Sequence, residues 1–553
     1  MKKKTICSAL LLTSAVLILG ACGSDKKAKD GEGDVTTLTF FNKDLQKDDK
    51  FDNPVAKEIT KKTGVKLEIS HPVGGDEQAI PLMIASGDYP DIIFGKGDLN
   101  KLIDANAVIP LDEMIEKKGD NIKKLYGDQL DRLRNSLDDP QIYHLGTGGV
   151  ENAYYKTSGT FSIQLDVLKE LGYPEIRTLD DFEKAIAAYK EKYPEIDGQE
   201  TIGLSLLGSD WRWLITVGNP AGFASGLQDD GQWAVDDKTG ETVYKFQLPE
   251  FKEYFKWLNS MNAKGLLDPE SFTQKADTYI AKLSSGRVLG IADQDWNYQD
   301  AVKNLKADDK EWRLYAPLPV TLNENLLSQG VKDYGFTGTT GVSISSTSEN
   351  QDKAFEFLNW MASEEAQILV NWGVEGVNYD IKDGKRVAKP EDLKASQTDT
   401  NYQTKTGIGA YGWPFPQWGT AAVDSAGQSI SRDTKEQVIN DFTDAEKEVL
   451  AEYDAELWVD LFPKPEELGT SDHGKAYEYV LPSESDASII QTKADDYVTQ
   501  TVTKAILADP QDFDKIWEDM QKELEKIGIE KANNEMTQLT QDRIKLWSGE
   551  FKK

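Results

Sequence analysis

From Val35 onward, short runs of β-branched and aromatic residues alternate with longer stretches whose apolar positions recur every three or four residues. Leu38-Thr39-Phe40-Phe41, Val65-Lys66-Leu67-Glu68-Ile69 and Asp91-Ile92-Ile93-Phe94 read as strands. Between the first two, Asn53 to Thr63 reads as a helix that stops at Gly64, because glycine accepts the left-handed backbone that closes a helix. Strand, helix, strand in that order predicts a βαβ unit and an α/β protein. Thr178-Leu179-Asp180-Asp181 has the pattern of a capping box, and Leu179, Phe182, Ile186 and Tyr189 follow at helical spacing. A second marked helix is expected to open at Ser348, with Gln351 three residues on, and to bury Ala354, Phe357, Leu358 and Met361. A third carries Phe513, Ile516, Trp517, Met520 and Leu524 on one face. Gln232 to Tyr244 reads as a hairpin turning at Asp237 to Gly240, and Phe251, Phe255, Trp257 and Leu258 begin a helix behind it. No internal repeat is visible, which argues against a solenoid.

The first residues break this pattern. Met1-Lys2-Lys3-Lys4 is positive, and Ile6 to Leu19 is an apolar stretch interrupted by Cys7, Ser8, Thr13 and Ser14, which is the profile of a secretory signal. The stretch falls short of the roughly 20 apolar residues needed for a permanent membrane span. Leu19-Gly20-Ala21-Cys22 then resembles the lipobox of bacterial lipoproteins, in which the cysteine is diacylated and becomes the new N-terminus. Two acyl chains anchor stably where one is marginal. Residues 1–21 are therefore expected to be a signal peptide, and residues 22–35 a lipid-anchored flexible tether of polar, charged composition.

Length and charge narrow the function. A chain of 553 residues exceeds one ordinary core, so at least two lobes are expected. A formal charge of −32 repels phosphate backbones, which argues against nucleic acid as a partner. Of the 2 cysteines, Cys7 would leave with the signal and Cys22 would carry lipid, so no disulfide framework or catalytic thiol is expected. His71, His144 and His473 are too scattered for a ligand motif, and no metal or other cofactor is expected.

Several segments together resemble the family 1 extracellular solute-binding proteins, in particular the long lipoprotein branch associated with oligosaccharide uptake. Ile84-Ala85-Ser86-Gly87-Asp88-Tyr89-Pro90-Asp91-Ile92-Ile93 is similar to the family's helix ending in S-G-D-x-P-D before a strand. Ser285-Gly286-Arg287-Val288 precedes another strand, and Asp293-Gln294-Asp295-Trp296-Asn297 follows it where the family places a ligand-facing loop. Gly341-Val342-Ser343-Ile344-Ser345 leads to the Ser348 helix, and Trp372-Gly373-Val374-Glu375-Gly376-Val377-Asn378-Tyr379 matches the branch's G-[IV]-E-G-x-x-Y signature. Ile527 to Lys531 before a last helix also fits.

The resemblance implies a two-lobed periplasmic-binding-protein-like fold of type II, with several crossovers and an interlobe ligand cleft. Lobe 1 would comprise 36–150 plus about 335–380, and lobe 2 would comprise 151–334 plus about 381–553. It also implies a carbohydrate ligand, ABC importer permease subunits as partners, contact with the membrane through lipid only, and a monomer at the outer face of the cytoplasmic membrane. Some relatives carry an Asp/Asn-rich calcium loop near the position of Tyr193. Here Glu195, Asp197, Gly198 and Glu200 lack the alternating spacing that wraps oxygens around calcium.

A saccharide cleft needs flat aromatics for C–H faces and polar side chains for hydroxyls. All 13 tryptophans follow Leu207. Trp257, Trp360 and Trp517 lie in amphipathic helices and read as core, whereas Trp211, Trp213, Trp296, Trp413 and Trp418 stand among loop-forming residues. Trp296 with Asp295 and Asn297, Trp211 and Trp213, and Tyr411, Trp413 and Trp418 of the segment 411–418 are the ligand candidates. That segment reads equally as packing over an interlobe seam. Glu375 and Asp88 are candidates too, each with a structural alternative. The rival functions are a surface glycoside hydrolase, which needs two converging carboxylates, and a receptor for peptides or other organic solutes on the same scaffold.

Overall fold

The computed structural model describes residues 35–552 apart from 45–47, 73–77, 158, 228–230, 237, 470, 472–474, 477, 479–480 and 483, and gives only the backbone of residue 552. The expected signal peptide, Cys22, all of the tether but Val35, Asp237 and His473 lie outside the described residues.

Two sheets organise the chain, built from β1 (Thr36–Asn42), β2 (Val65–Ser70), β3 (Ile92–Phe94), β4 (Leu145–Gly146), β5 (Gly159–Gln164), β6 (Ile202–Leu204), β7 (Val288–Gln294), β8 (Tyr315–Leu318) and β9 (Gly341–Ile344). The first sheet has the order β2-β1-β3-β9-β4 and the second β8-β5-β7-β6. β1 lies parallel to β2 and β3, and the helix Pro54–Thr63 joins β1 to β2, as the βαβ pattern predicts. Asn53 caps that helix by accepting from the Ala56 N–H at 2.9 Å, and Gly64 closes it with φ 67°. The two faces of the sheet bury different sets because strand side chains alternate. Leu38, Phe40, Ile92 and Phe94 enter the main core of the lobe, while Phe41 and Ile93 pack with Ile80 and Leu102 on the opposite face.

The S-G-D-Y-P-D segment has a structural role. Gly87 ends the helix Ala79–Ser86 with φ 70°, and Asp91 ties three segments together. Its carboxylate accepts from Thr39 N–H and Oγ1 at 2.8 and 2.9 Å and from Ser348 Oγ at 2.5 Å. These bonds hold its pKa below the usual carboxylate value despite the opposing effect of burial. Ser348 is thus engaged three residues before the helix expected to open there. The helix runs Gln351–Met361, with Asn350 in the cap position.

The Thr178 capping box forms, with Asp181 as its reciprocal partner, on the helix Leu179–Lys192. The hairpin strands are Trp233–Val235 and Thr242–Tyr244. Near Tyr193 the chain makes a short hairpin of Glu195–Ile196 and Gln199–Glu200, turning at Asp197 and Gly198, whose φ values are 51° and 73°.

The cores follow the sheets. One gathers Leu38 to Leu145 with Phe336 to Val370, and the other Phe161 to Val320 with Ala445 to Met536. Tyr402, Ile408, Tyr411 and Phe415 belong to the first core, which corrects the placement of about 381–553 wholly in lobe 2. Phe415 lies 5.3 Å from Phe40 and 5.8 Å from Phe357, ring centre to ring centre, so burying these aromatics against β1 decides where the segment goes.

The crossovers fix how the lobes face each other. β9 runs antiparallel to both β3 and β4, so β4 leaves its sheet at the edge where β1 and β3 end. The chain then enters β5 at Gly159, opposite Gln294 at the end of β7. The return path leaves β8 at Leu318, near that same edge, and begins β9 at Gly341 opposite Gly146. Both connections join the carboxyl ends of one set of parallel strands to those of the other. The crevice outside the carboxyl ends is where open α/β sheets bind ligands.

Candidate functional site: an aromatic cleft at the strand ends

β6 and β7 are parallel, so the residues after each emerge on one edge. Trp211 follows β6 and Trp296 follows β7. Their rings stack, with centroids 6.1 Å apart and planes 9° apart. They are 52% and 46% exposed, so the pair forms an apolar ledge open to solvent rather than a piece of core. Trp296 lies in the first turn of the helix Asp295–Ala307, because β7 passes directly into that helix. The ligand-facing loop expected at 293–297 is thus a strand end and a helix start, and the helix holds the indole more firmly than a loop would. On the Trp211 side, the Arg212 guanidinium lies 5.1 Å from the ring centre and pairs with Asp210 at 2.8 Å.

Beneath the ledge, Asp293 is buried and its two oxygens are fully used. They accept from Tyr279 Oη at 2.8 Å, from Asn297 Nδ2 at 2.9 and 3.0 Å, and from the Gln294 N–H at 2.7 Å. Burial nevertheless pushes its carboxyl up to about 7. Asn297 therefore supports the first helical turn, with its amide turned down onto Asp293. Asp295 accepts the Trp296 N–H at 2.7 Å and is accessible to water. Desolvation by the surrounding protein still pushes it up to about 6, with Lys156 opposing and Asp433 adding to the rise. Lys156 and Asp433, which pair at 2.7 Å, come from the crossover 147–158 and from the segment that returns the chain to lobe 2.

Across the cleft, Trp413 is 44% exposed. Its Nε1 donates to Asp44 at 3.2 Å, and its ring meets Phe94, the last residue of β3, edge-on at 5.5 Å. Asp44, two residues beyond β1, also pairs with Lys96 at 2.7 Å. A cavity of about 250 Å³ lies beside the crossovers, lined by Thr147, Asn152, Tyr154, Gly159 and Phe336 among others.

The other candidates are placed elsewhere. Trp213 is 4% exposed, stacks on Phe246 and donates to Thr503 Oγ1 at 3.0 Å, so it is core of lobe 2. Tyr411 is buried between Asn53 and Asp49, at 2.6 and 2.9 Å. Trp418 packs on lobe 1, donating to the Ala362 carbonyl at 2.8 Å with Lys124 5.0 Å over its ring. Glu375 is exposed at the tip of a loop whose Gly373 and Gly376 have φ 80° and 78°. The loop is closed by Asn378, which accepts the Val374 N–H at 3.0 Å and donates to Asp392 at 2.7 Å. The G-V-E-G-x-x-Y signature thus builds a turn. Asp88 is exposed after Gly87 and is not brought to the ledge by any contact among the described residues. Asp44, Lys96, Arg212, Lys156 and Asp433 escaped the sequence reading. The available signal was position, since Asp44 and Lys96 directly follow strands that were read correctly.

Among the described residues no three His, Cys, Asp or Glu side chains are grouped to hold a metal ion. In the 195–200 hairpin, Asp197 pairs with Lys310 and Glu200 with Lys190, each at 3.3 Å.

Residues 55–395 match the family described as bacterial extracellular solute-binding protein. The chain is 27% identical over 311 residues to the fructooligosaccharide ABC transporter substrate-binding protein FusA of Streptococcus pneumoniae, an alignment spanning 51% of this chain and 56% of that relative. It is 23% identical over 394 residues to the lipoprotein LipO of Bacillus subtilis, spanning 68% of this chain and 74% of LipO. The crystal structure of the alginate-binding protein AlgQ2 without calcium ion superposes with a TM-score of 0.64 at 21% identity, covering 91% of this chain and 98% of that one.

Proposed function

Because this chain belongs to the family of bacterial extracellular solute-binding proteins, we propose that it captures an oligosaccharide in the cleft between its lobes and delivers it unchanged to the permease subunits of an ABC importer. The observation that carries this reading is the Trp211–Trp296 ledge, exposed at the carboxyl edge of one sheet, while Trp413 stands exposed at the carboxyl edge of the other. Flat indoles cover the C–H faces of sugar rings, and Asp44, Asp295, Asp210 and Arg212 stand beside them to exchange hydrogen bonds with hydroxyls. A ligand touching both lobes favours their closed arrangement through contacts that the open one lacks, which gives the permeases a state to recognise.

The arrangement of carboxylates favours a receptor over a hydrolase. Asp293 has the raised pKa of a general acid, but both of its oxygens are bound within the protein and buried beneath the ledge. The carboxylate that acts on Asp295, Asp433, is held in an ion pair with Lys156 at 2.7 Å. The lipid on Cys22 and the tether that follows would keep the body near its importer at high local concentration. The curated relatives include a protein named as a lipoprotein.

The test is to titrate the purified protein with oligosaccharides and peptides, following tryptophan fluorescence, and to analyse each bound sugar afterwards by mass spectrometry. Reversible binding of an unaltered oligosaccharide is expected. Cleavage of the sugar sinks the receptor reading, and binding of peptides alone sinks the carbohydrate reading.

A further inference from the structure

We propose that the cleft selects uncharged oligosaccharides and turns away those bearing uronate carboxylates, with Asp295 as the specificity-determining residue. This rests on reading the cleft as a carbohydrate site. Relatives named for a fructooligosaccharide and for alginate lie on the same scaffold, so the fold does not choose between neutral and acidic sugars. The charges at the strand ends do.

A site that welcomes a uronate needs a cation with nothing better to bind, and a guanidinium facing the carboxylate in bidentate fashion is the usual solution. Here the cations around the ledge are already committed. Arg212 pairs with Asp210 at 2.8 Å and lies against the face of Trp211. Lys156 pairs with Asp433 at 2.7 Å, and Lys96 pairs with Asp44 at 2.7 Å. In the neighbouring cavity, Lys475 pairs with Glu478 at 3.2 Å and Lys332 lies 5.1 Å over the ring of Tyr334. Taking Arg212, Lys156 or Lys96 for a uronate would strand its present carboxylate.

Asp295 adds a direct obstacle. One oxygen accepts the backbone N–H of Trp296 at 2.7 Å, which holds the carboxyl at the start of the helix that carries the indole. The other receives no hydrogen bond from the described residues and is free to accept one from a sugar hydroxyl. A hydroxyl donor and an anionic acceptor make a strong, short bond, whereas two carboxylates at the same spot repel. Desolvation at this position, already visible in the raised pKa of Asp295, makes a second negative charge costlier than it would be in open water. The chain's formal charge of −32 also opposes the approach of a polyanion from a distance.

The experiment is calorimetric titration of the purified protein with neutral fructo-, malto- and xylo-oligosaccharides and with oligogalacturonates and alginate-derived oligouronates of matched length, at low and physiological salt. Binding is expected for a neutral sugar, with every uronate weaker by about tenfold or more and the gap narrowing as salt rises. In D295N the gap should shrink by at least about threefold. D433N, which releases Lys156, should by itself raise uronate affinity. A uronate bound as tightly as the best neutral sugar overturns the proposal and leaves the carbohydrate reading standing. Failure of every sugar, neutral and acidic, removes the carbohydrate reading and the proposal with it. An unchanged gap in D295N, with neutral binding retained, overturns the role given to Asp295.

Discussion

The indoles of Trp211 and Trp296 lie parallel, 6.1 Å apart and within 9° of coplanar orientation, although one follows β6 and the other follows β7. Neither ring has the core to hide in, and each shields part of its neighbour. Two parallel strands ending side by side thus produce a single aromatic surface from residues far apart in the chain.

Trp296→Ala should weaken oligosaccharide binding by about tenfold or more, because truncating an aromatic anchor in a cleft is among the costliest binding mutations. Trp211→Ala should weaken it too. The double mutant should lose less than the sum of the two, since both rings belong to one ledge. Trp213→Ala should behave differently. It removes a buried indole, so it should cost about 3 to 5 kcal/mol of fold stability, read as a lowered urea midpoint.

Lobe 2 should grow less stable as pH rises from 5 to 7. Burial pushes Asp495 up to about 7 even though Tyr244 Oη donates to it at 2.6 Å. With its folded pKa above its unfolded one, the native state holds a proton that the unfolded chain has released. The resulting stability is present in full below about pH 4 and is lost as pH climbs through 7. Asp495→Asn cannot carry the buried charge. Its urea-derived stability relative to the parent should improve by about 2 kcal/mol between pH 5 and pH 8. An equal pH dependence in both proteins would contradict this account.

Trp547→Ala should loosen the lobes. The C-terminal helix Ile529–Trp547 buries Ile529, Ala532 and Met536 in the core of lobe 2. Its last indole lies under Arg132 of lobe 1 at 4.6 Å and under Arg543 of its own helix at 5.2 Å. Each such contact is worth about 0.5 to 1 kcal/mol when partly exposed. Small-angle scattering of the unliganded mutant should show a larger radius of gyration than the parent, and a sugar that closes the cleft should reduce the difference.

Cys22→Ala should move the protein from the membrane fraction to the medium without impairing binding, because none of the cleft residues named above belongs to the tether. Immunoblotting of the two fractions, with titration of the released protein, checks both halves. Retention at the membrane would mean that something other than the lipid holds it there.

Much of the fold was legible in the chain because its signals are local. The capping box at Thr178 and the glycine stops at Gly64 and Gly87 depend on a few neighbouring residues, and all form as read. The Ser348 helix began later than expected because Asp91, distant in sequence, takes the serine for itself. The site was legible only in part. Trp211, Trp213, Trp413 and Trp418 have similar loop-like surroundings in the sequence, yet the first and third are exposed, Trp213 is core and Trp418 packs on lobe 1. Which one faces solvent depends on whether Phe246, or Ala362 and Lys124, happens to cover it.

By itself the sequence determined the alternation of strands and helices, the α/β class and the acidic character that argues against nucleic acid as a partner. These follow from short-range periodicity, local caps and summed charge. The tertiary structure alone decided that residues 402–415 return to lobe 1, that Asn297 serves Asp293, and that Trp211, Trp296 and Trp413 stand at the strand ends. Those outcomes depend on apolar surface finding its most complete burial among partners hundreds of residues away, and on hydrogen-bonding groups being claimed by neighbours that only folding brings near.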